Sequence, residues 1–197
     1  MHKKKIGLFG GSFNPFHLAH LRLALTALEE LSLDEVQLIP AGQPWQKQPL
    51  SVNAEHRLKM LKLAIKDYPK IRINTIELER EGPSYTIDTV SSLPKQHNYY
   101  WLMGSDQLNN FATWNDWQSI LLYVQLVIVK RPHYDISPPP ELLNELKKIN
   151  KSLIFMNFDE IDLSSTEIRH KINQGEDVSN LIEAKVYQYI KQHGLYR

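Results

Sequence analysis

The chain has 197 residues, of which 42% are hydrophobic and 23% charged, and its formal net charge is +1. This length predicts one domain that buries enough surface to fold without disulfides or structural zinc. The sequence contains no cysteine, which excludes disulfides, a thiolate nucleophile, iron–sulfur clusters and cysteine-ligated zinc. A net charge this close to zero argues against sequence-independent binding of nucleic acid.

The first residues are basic, with lysines at positions 3 to 5, but a glycine-rich segment and not an apolar one follows them. This pattern differs from a signal peptide. No apolar run approaches the ~20 residues of a membrane helix. We therefore expect a soluble, cytoplasmic protein with neither a nucleic acid nor a membrane as partner.

Short apolar runs alternate with stretches of helical periodicity. The runs predicted as strands are Lys5–Phe9, Glu35–Pro40, Ile71–Leu78, Tyr99–Met103, Gln125–Lys130 and Leu153–Phe158. Apolar stripes predict helices around residues 21–31, 58–65, 117–121 and 182–190. Strands without polar alternation are typical of a parallel sheet that is covered on both faces. The pattern predicts an α/β fold with a Rossmann-like, doubly wound parallel sheet, in a single domain with a small helical C-terminal part.

The first strand leads into a glycine-rich turn, Gly10-Gly11-Ser12-Phe13, and then into a helix. Two glycines permit a tight turn, and a helix N-terminus beyond them attracts phosphate. The dinucleotide fingerprint and the P-loop pattern are both missing here. His17 and His20 are three residues apart and can share one helix face toward such a phosphate. A zinc pair, or one buried and one exposed structural histidine, are the alternatives.

The segment from Gly10 to His20 resembles the signature of the HxGH nucleotidyltransferases, relatives of class I aminoacyl-tRNA synthetases in this turn. Further motifs follow in the order found in bacterial nicotinate-nucleotide adenylyltransferases: Arg57–Leu61, Ser84–Thr86, Gly104–Asp106, Thr113-Trp114, Lys130–Pro132, Ser164–Arg169 and Val186…Tyr196. Two positions depart from the family pattern. Ala19 replaces a usual glycine, and Gln46 stands where relatives often have histidine, although Lys47 keeps a positive charge beside it.

A second phosphate site is indicated by Ser164-Ser165-Thr166-Glu167, which is also typical of a helix capping box. A hydroxyl-rich helix start binds anions as well, and Arg169 adds a forked cation one turn later. Asp106, after an apolar run, is predicted either to accept hydrogen bonds from a ribose or to cap a short helix.

The resemblance implies a nucleotidyltransferase domain over residues 1–197, with the second phosphate-binding helix and a C-terminal helix within residues 160–197. It assigns catalysis to His17, His20 and Arg169. It implies that ATP is bound by residues of the glycine-rich turn, of the strand end at Asp106 and of the second phosphate site. These residues are Gly10, Gly11, Ser12, Phe13, His17, His20, Gly104, Asp106, Ser164, Ser165, Thr166 and Arg169.

Trp114 and Trp117 are predicted on one short helix, either in the core or as a platform for an electron-poor pyridinium ring. The resemblance implies that Trp114 stacks on nicotinate, while Trp117 is left in the core. Ser84 and Thr86 are typical of helix capping, and Arg131 of a solvated strand end. By resemblance, the mononucleotide is bound by Lys47, Tyr85, Thr86, Trp114, Asn115 and Arg131.

The implied reaction transfers the adenylyl group of ATP to nicotinate mononucleotide, giving deamido-NAD and pyrophosphate in NAD biosynthesis. The attacking phosphate has a second pKa of about 6 and needs no protein base at pH 7. Mg²⁺ is expected to be bound mainly through the ATP phosphates, since no carboxylate cage is evident. The alternatives are a dual nicotinate and nicotinamide enzyme, another HxGH nucleotidyltransferase, a synthetase fragment and a non-catalytic nucleotide sensor. A homo-oligomer also remains open.

Overall fold

The computed structural model describes residues 3–42, 51–130, 136–158 and 163–197. Within them, six parallel strands form one sheet in the order β3-β2-β1-β4-β5-β6. The strands are β1 (Lys5–Gly11), β2 (Glu35–Pro40), β3 (Ile71–Ile73), β4 (Asn98–Gly104), β5 (Val124–Lys130) and β6 (Ile154–Asn157). The chain starts in the middle, builds outward to one edge and returns to build the other. This confirms the predicted Rossmann-like, doubly wound sheet.

The strand predictions are correct to within two residues at either end, except for the third. A strand over residues 71–78 is wrong, because β3 ends at Ile73. The side chain of Asn74 accepts a hydrogen bond from the backbone N–H of Ile76 at 3.1 Å and donates to Gln37 at 2.9 Å. Asparagine bonded to the backbone two residues on forms a turn of its own, which ends the strand despite the apolar residues that follow.

Eight α-helices lie in the described part of the chain: α1 (Leu18–Glu30), α2 (Ala54–Ala64), α3 (Thr86–Ser91), α4 (Ser105–Asn109), α5 (Trp117–Tyr123), α6 (Pro140–Lys148), α7 (Ser165–Asn173) and α8 (Ala184–His193). Helix α6 is an addition to the helices predicted from the sequence. Pro140 is its first residue, a position at which the missing N–H of proline costs no intrahelical bond.

The two tryptophans do not share a helix, so that prediction is wrong. Trp114 follows a 3-10 turn (Phe111–Thr113) in an extended conformation, with φ −72° and ψ 146°. Asp116 has φ 45°, and α5 begins only at Trp117. The left-handed conformation of Asp116 interrupts any helix between the two tryptophans.

A hydrophobic cluster covers each face of the sheet. One contains Leu38 and Leu102 with residues from α1, α2, α7 and α8, and the other contains Trp101 and Met103 with residues from α3 to α6. Neighbouring residues of a strand thus enter opposite clusters, which is why the strands show no polar alternation. No helix in the described residues is long and apolar enough to span a membrane.

Candidate active site

A cleft of about 620 Å³ opens at the carboxyl ends of β1 and β4, where the strand order reverses. Ligands of doubly wound sheets bind at this place. Every residue predicted to bind ATP lines the cleft. The lining also includes residues to which the sequence analysis gave no role, notably Asn14, Ser51 and Gln107.

His17 and His20 lie together at the start of α1. His17 is the residue before the helix, is 5% exposed, and its backbone N–H donates to Nδ1 of His20 at 3.3 Å. The two rings stack with centroids 3.7 Å apart and an interplanar angle of 27°. Stacked rings turn their faces and not their nitrogen lone pairs toward each other, so the pair does not converge on a zinc ion. Because Nδ1 of His20 accepts, the proton of the neutral ring lies on Nε2, which is a hydrogen-bond donor.

Aromatic side chains of the turn hold the His20 ring. Phe16 stacks on it at 5.3 Å and Phe13 contacts it edge-on at 5.2 Å. Phe13 is 1% exposed and has φ 45°, an unfavourable backbone conformation that is maintained only by surrounding contacts. A Cβ on Gly11 would lie 2.9 Å from the Phe13 ring. Glycine is therefore required here for close approach of the turn to that ring.

Arg57 holds the glycine-rich turn from below. Its side chain, 1% exposed, donates from Nη1 to the carbonyl oxygen of Ser12 and from Nη2 to that of Ala41, both at 2.8 Å. Burial lowers the pKa of Arg57, but a guanidinium stays protonated in proteins. Arg57 belongs to one of the family motifs, but the sequence indicates no role for it, because its partners are backbone carbonyl oxygens, which no residue type identifies.

The start of α7 forms the opposite wall. Ser164 accepts a hydrogen bond from the backbone N–H of Glu167 at 3.1 Å, so the predicted cap is present. The Glu167 carboxylate lies 3.9 Å from Lys171 Nζ instead of completing the capping box. Arg169 donates from Nη1 to the carbonyl oxygen of Asn14 at 2.8 Å and from Nη2 to Thr166 at 3.1 Å. The guanidinium thus bridges the α7 start and the turn before α1.

Asp106 lies just after the end of β4, the central strand next to β1. It is the second residue of α4, and Gly104 occupies the capping position. The alternative interpretation of Asp106 as the helix cap is therefore wrong. The Asp106 side chain is exposed and lines the cleft.

The described residues predicted for the mononucleotide lie outside the lining of this cleft. Tyr85 precedes α3 and Thr86 begins it, so the interpretation of Thr86 as the helix cap is wrong. Trp114 is half-buried and packs edge-on against Trp101, with centroids 6.3 Å apart. Asn115 beside it is exposed. Lys47 and Arg131, like Gln46, lie outside the described residues.

Two residues near this second set are fixed by the fold. Ser84 accepts a hydrogen bond from the backbone N–H of Gly42 at 3.1 Å and is not a helix cap. Trp117 is half-buried and packs edge-on against Phe111 at 6.1 Å, which confirms its predicted place in the core.

The sequence profile of the cytidylyltransferase-like family matches residues 8–171. A protein of Bordetella petrii is 49% identical and covers 98% of this chain and 100% of its own length, and one of Bordetella pertussis is 47% identical with 98% of both covered. Both carry the name "Probable nicotinate-nucleotide adenylyltransferase".

The chain belongs to the nicotinate-nucleotide adenylyltransferase family. Its fold is also that of a solved Plasmodium falciparum nicotinic acid mononucleotide adenylyltransferase in complex with NaAD, with a TM-score of 0.76 at 23% identity over 99% of this chain and 98% of the other.

Membership in the adenylyltransferase family is consistent with use of a divalent metal. Asp106 is the acidic side chain of the cleft lining. Within the described residues, no group of three His, Asp or Glu side chains could hold a metal ion. A cation that brings its own oxygen ligands as a nucleotide complex fits this donor set better than one bound by the protein alone.

Proposed function

We propose that this adenylyltransferase transfers the adenylyl group of ATP to nicotinate mononucleotide, releasing pyrophosphate and forming deamido-NAD for NAD biosynthesis. The observation that carries the proposal is the convergence of two helix starts on one cleft, α1 with the His17–His20 pair and α7 with Ser164 and Arg169. Two helix N-termini and a guanidinium are suited to several phosphate groups at once.

The reaction needs alignment and charge neutralisation. An oxygen of the mononucleotide phosphate attacks the α-phosphorus of ATP as the bond to the β-phosphate oxygen breaks. The attacking phosphate is largely ionised at pH 7, since its second pKa is about 6, so no protein base is required. The Nε2–H of His20 and the Arg169 guanidinium would stabilise negative charge on the transferring and leaving phosphates. Mg²⁺, bound mainly through the ATP phosphates, would supply additional positive charge.

The nucleoside ends would be bound on either side of the reacting phosphates. Asp106, exposed at the end of β4, would accept hydrogen bonds from the ATP ribose. Trp114 would stack on the pyridine ring, and Thr86 with Tyr85 and Asn115 would surround its carboxylate. Lys47 and Arg131 stay predicted as cations for the mononucleotide phosphate. We retain a cytoplasmic location, because both substrates are charged nucleotides that do not cross membranes unaided.

The test is pyrophosphate release from ATP with nicotinate mononucleotide, run in parallel with nicotinamide mononucleotide and phosphopantetheine. We expect turnover that requires Mg²⁺ and favours nicotinate mononucleotide. Equal efficiency with the nicotinamide form would establish the dual-specificity alternative. If the protein binds ATP but releases no pyrophosphate with any of the three acceptors, the proposal is contradicted and a nucleotide sensor is favoured.

A further inference from the structure

The segment after α8 returns to the cleft. Gly194 ends the helix with φ 58°, and the backbone N–H of Leu195 donates to the carbonyl oxygen of Ile190 at 3.1 Å. This bond, from the second residue past the helix end back to its last turn, is the closure that a left-handed glycine permits. The reversal directs Tyr196 toward the turn before α1, 182 positions earlier in the sequence.

Tyr196 contacts the side chain of Asn14. Its hydroxyl donates to Oδ1 of Asn14 at 2.7 Å, and Nδ2 of Asn14 donates in turn to Oγ of Ser51 at 3.2 Å. Asn14 is 3% exposed and lines the ATP cleft together with Ser51. The three side chains form a continuous chain of hydrogen bonds, in which each donor fixes the orientation of the next group.

The same asparagine also holds Arg169. Its carbonyl oxygen accepts the 2.8 Å hydrogen bond from Nη1 of Arg169, so the backbone and side chain of one residue serve two anchors. Both Arg169 and Arg57 act electrostatically on the Tyr196 hydroxyl. Burial raises the pKa of Tyr196 despite those two cations, so the hydroxyl stays a donor throughout the neutral range.

We propose that Tyr196 is a positioning residue, whose hydroxyl fixes Asn14 and through it the placement of Arg169 in the cleft. This inference rests on the proposed function, because it assigns Arg169 to the transition state. Without the hydroxyl, Oδ1 of this nearly buried amide loses its donor, and the side chain of Asn14 is held only by its bond to Ser51. The backbone of Asn14, whose carbonyl oxygen accepts from Arg169, then loses one of the contacts that hold it in place, while Arg169 keeps its bond to Thr166. The effect is expected on the alignment of charge in the reaction more than on binding of ATP.

The experiment compares wild type with Tyr196→Phe, Asn14→Ala and the double variant, at a temperature far below unfolding. Tyr196→Phe removes one oxygen, and we expect kcat to fall about tenfold with a change in KM for ATP below about threefold, in line with loss of a donor to a buried acceptor. The double variant should be no slower than Asn14→Ala alone, since the two side chains act as a unit. Rates that multiply would overturn the proposal.

Tyr189→Phe is the matched control. This tyrosine of α8 makes a hydroxyl hydrogen bond of similar length, 2.8 Å to Nδ1 of His56, outside the cleft lining. It should leave kcat within about twofold of wild type, since a hydrogen bond away from the cleft affects stability and not alignment. If Tyr196→Phe lowers the melting temperature but leaves kcat unchanged, Tyr196 only fastens the end of the chain and the proposal fails.

A wild type that releases no pyrophosphate would contradict the proposed function separately. The coupling between the Tyr196 hydroxyl and the Asn14 side chain is then measured by hydrogen exchange of the Asn14 side-chain amide, resolved by ¹⁵N NMR. Exchange about tenfold faster in Tyr196→Phe, and unchanged in Tyr189→Phe, would support the coupling, because a donor that fixes the amide limits its opening. Equal exchange in all three proteins would overturn it.

Discussion

The backbone N–H of His17 donates to Nδ1 of His20, and this one bond determines which nitrogen of His20 carries a proton. The Nε2–H that results lies in a ring held between Phe16 and His17. The histidine is therefore a donor of fixed orientation and not a mobile base, and this distinction leads to the first prediction.

His20→Ala should lower kcat by about 10²–10³ with a much smaller change in KM for ATP, which is the typical effect of removing one donor to a transition-state charge. Steady-state kinetics of pyrophosphate release measures both constants. His170→Ala is the control, because His170 is exposed on α7 outside the cleft lining. Near-normal turnover of a folded His20→Ala protein would refute the role of His20.

Arg57→Met should destabilise the fold and the turn together. It removes the donors to the carbonyl oxygens of Ser12 and Ala41, two half-buried residues. Each lost bond should cost about 1 kcal/mol of unfolding free energy, the lower end of the range for a buried acceptor left unpaired. Urea denaturation measures the loss. Arg72→Met provides the comparison, since Arg72 is 66% exposed and only pairs with Glu35 at 3.7 Å; surface pairs contribute about 0–1 kcal/mol. Equal losses in the two variants would contradict the bridging role of Arg57.

Stability should depend on pH through Glu77. Burial raises the pKa of this carboxyl above its usual 4.5, while hydrogen bonds from Thr89 and Ser84 and the charge of Arg80 oppose the shift. A carboxyl whose pKa is raised by folding binds more protons in the folded state, so its contribution to stability falls as pH rises from 4.5 through the folded-state pKa.

Glu77→Gln removes this titration and keeps an oxygen to accept from Thr89. The melting temperature of Glu77→Gln relative to wild type should therefore increase as pH rises above about 5. Glu81→Gln, at an exposed site in the same segment, should follow the wild-type pH dependence. A Glu77→Gln curve parallel to that of wild type would show that burial of Glu77 does not shift its titration.

Variants of Trp114 and Thr86 should differ in how they change the preference for nicotinate over nicotinamide mononucleotide. Trp114→Ala should reduce kcat/KM for nicotinate and nicotinamide mononucleotides alike, because stacking depends on the ring and not on its substituent. Thr86→Val should reduce the difference in kcat/KM between the two acceptors, because it removes a donor suited to a carboxylate. The measurement is kcat/KM for both acceptors in all three proteins. A Trp114→Ala variant that loses only one acceptor would overturn this account of the pyridine site.

Local patterns in the sequence predicted what neighbouring residues determine by themselves. The strand, the two glycines and the His17–His20 spacing lie within one short segment, and the structure places them as expected. The third strand failed at Asn74, where a side chain competes for backbone bonds within an apolar run. The prediction of one helix for Trp114 and Trp117 was wrong because Asp116 adopts a left-handed conformation, which its residue type alone does not predict.

The residues that hold the glycine-rich turn in place could not be predicted from the sequence. Arg57 and Arg169 both bind carbonyl oxygens of the turn, 45 and 155 positions away. A carbonyl is the same at every residue, so no side-chain pattern identifies it as a partner. Asn14 belongs to the quoted signature, but its contacts with Ser51 and Tyr196 depend on how distant segments pack.

Within the described residues, the turn at residues 12–15 is bound by five side chains from later in the chain: Ser51, Arg57, Ser165, Arg169 and Tyr196. During synthesis, the first of these follows its partner in the turn by 37 residues and the last by 182. A nascent chain therefore carries the complete segment from Gly10 to His20 long before all five of these side chains can hold it. We expect ribosome-bound chains that stop before α7 to retain no labelled ATP, and retention to begin once the final anchors have left the exit tunnel.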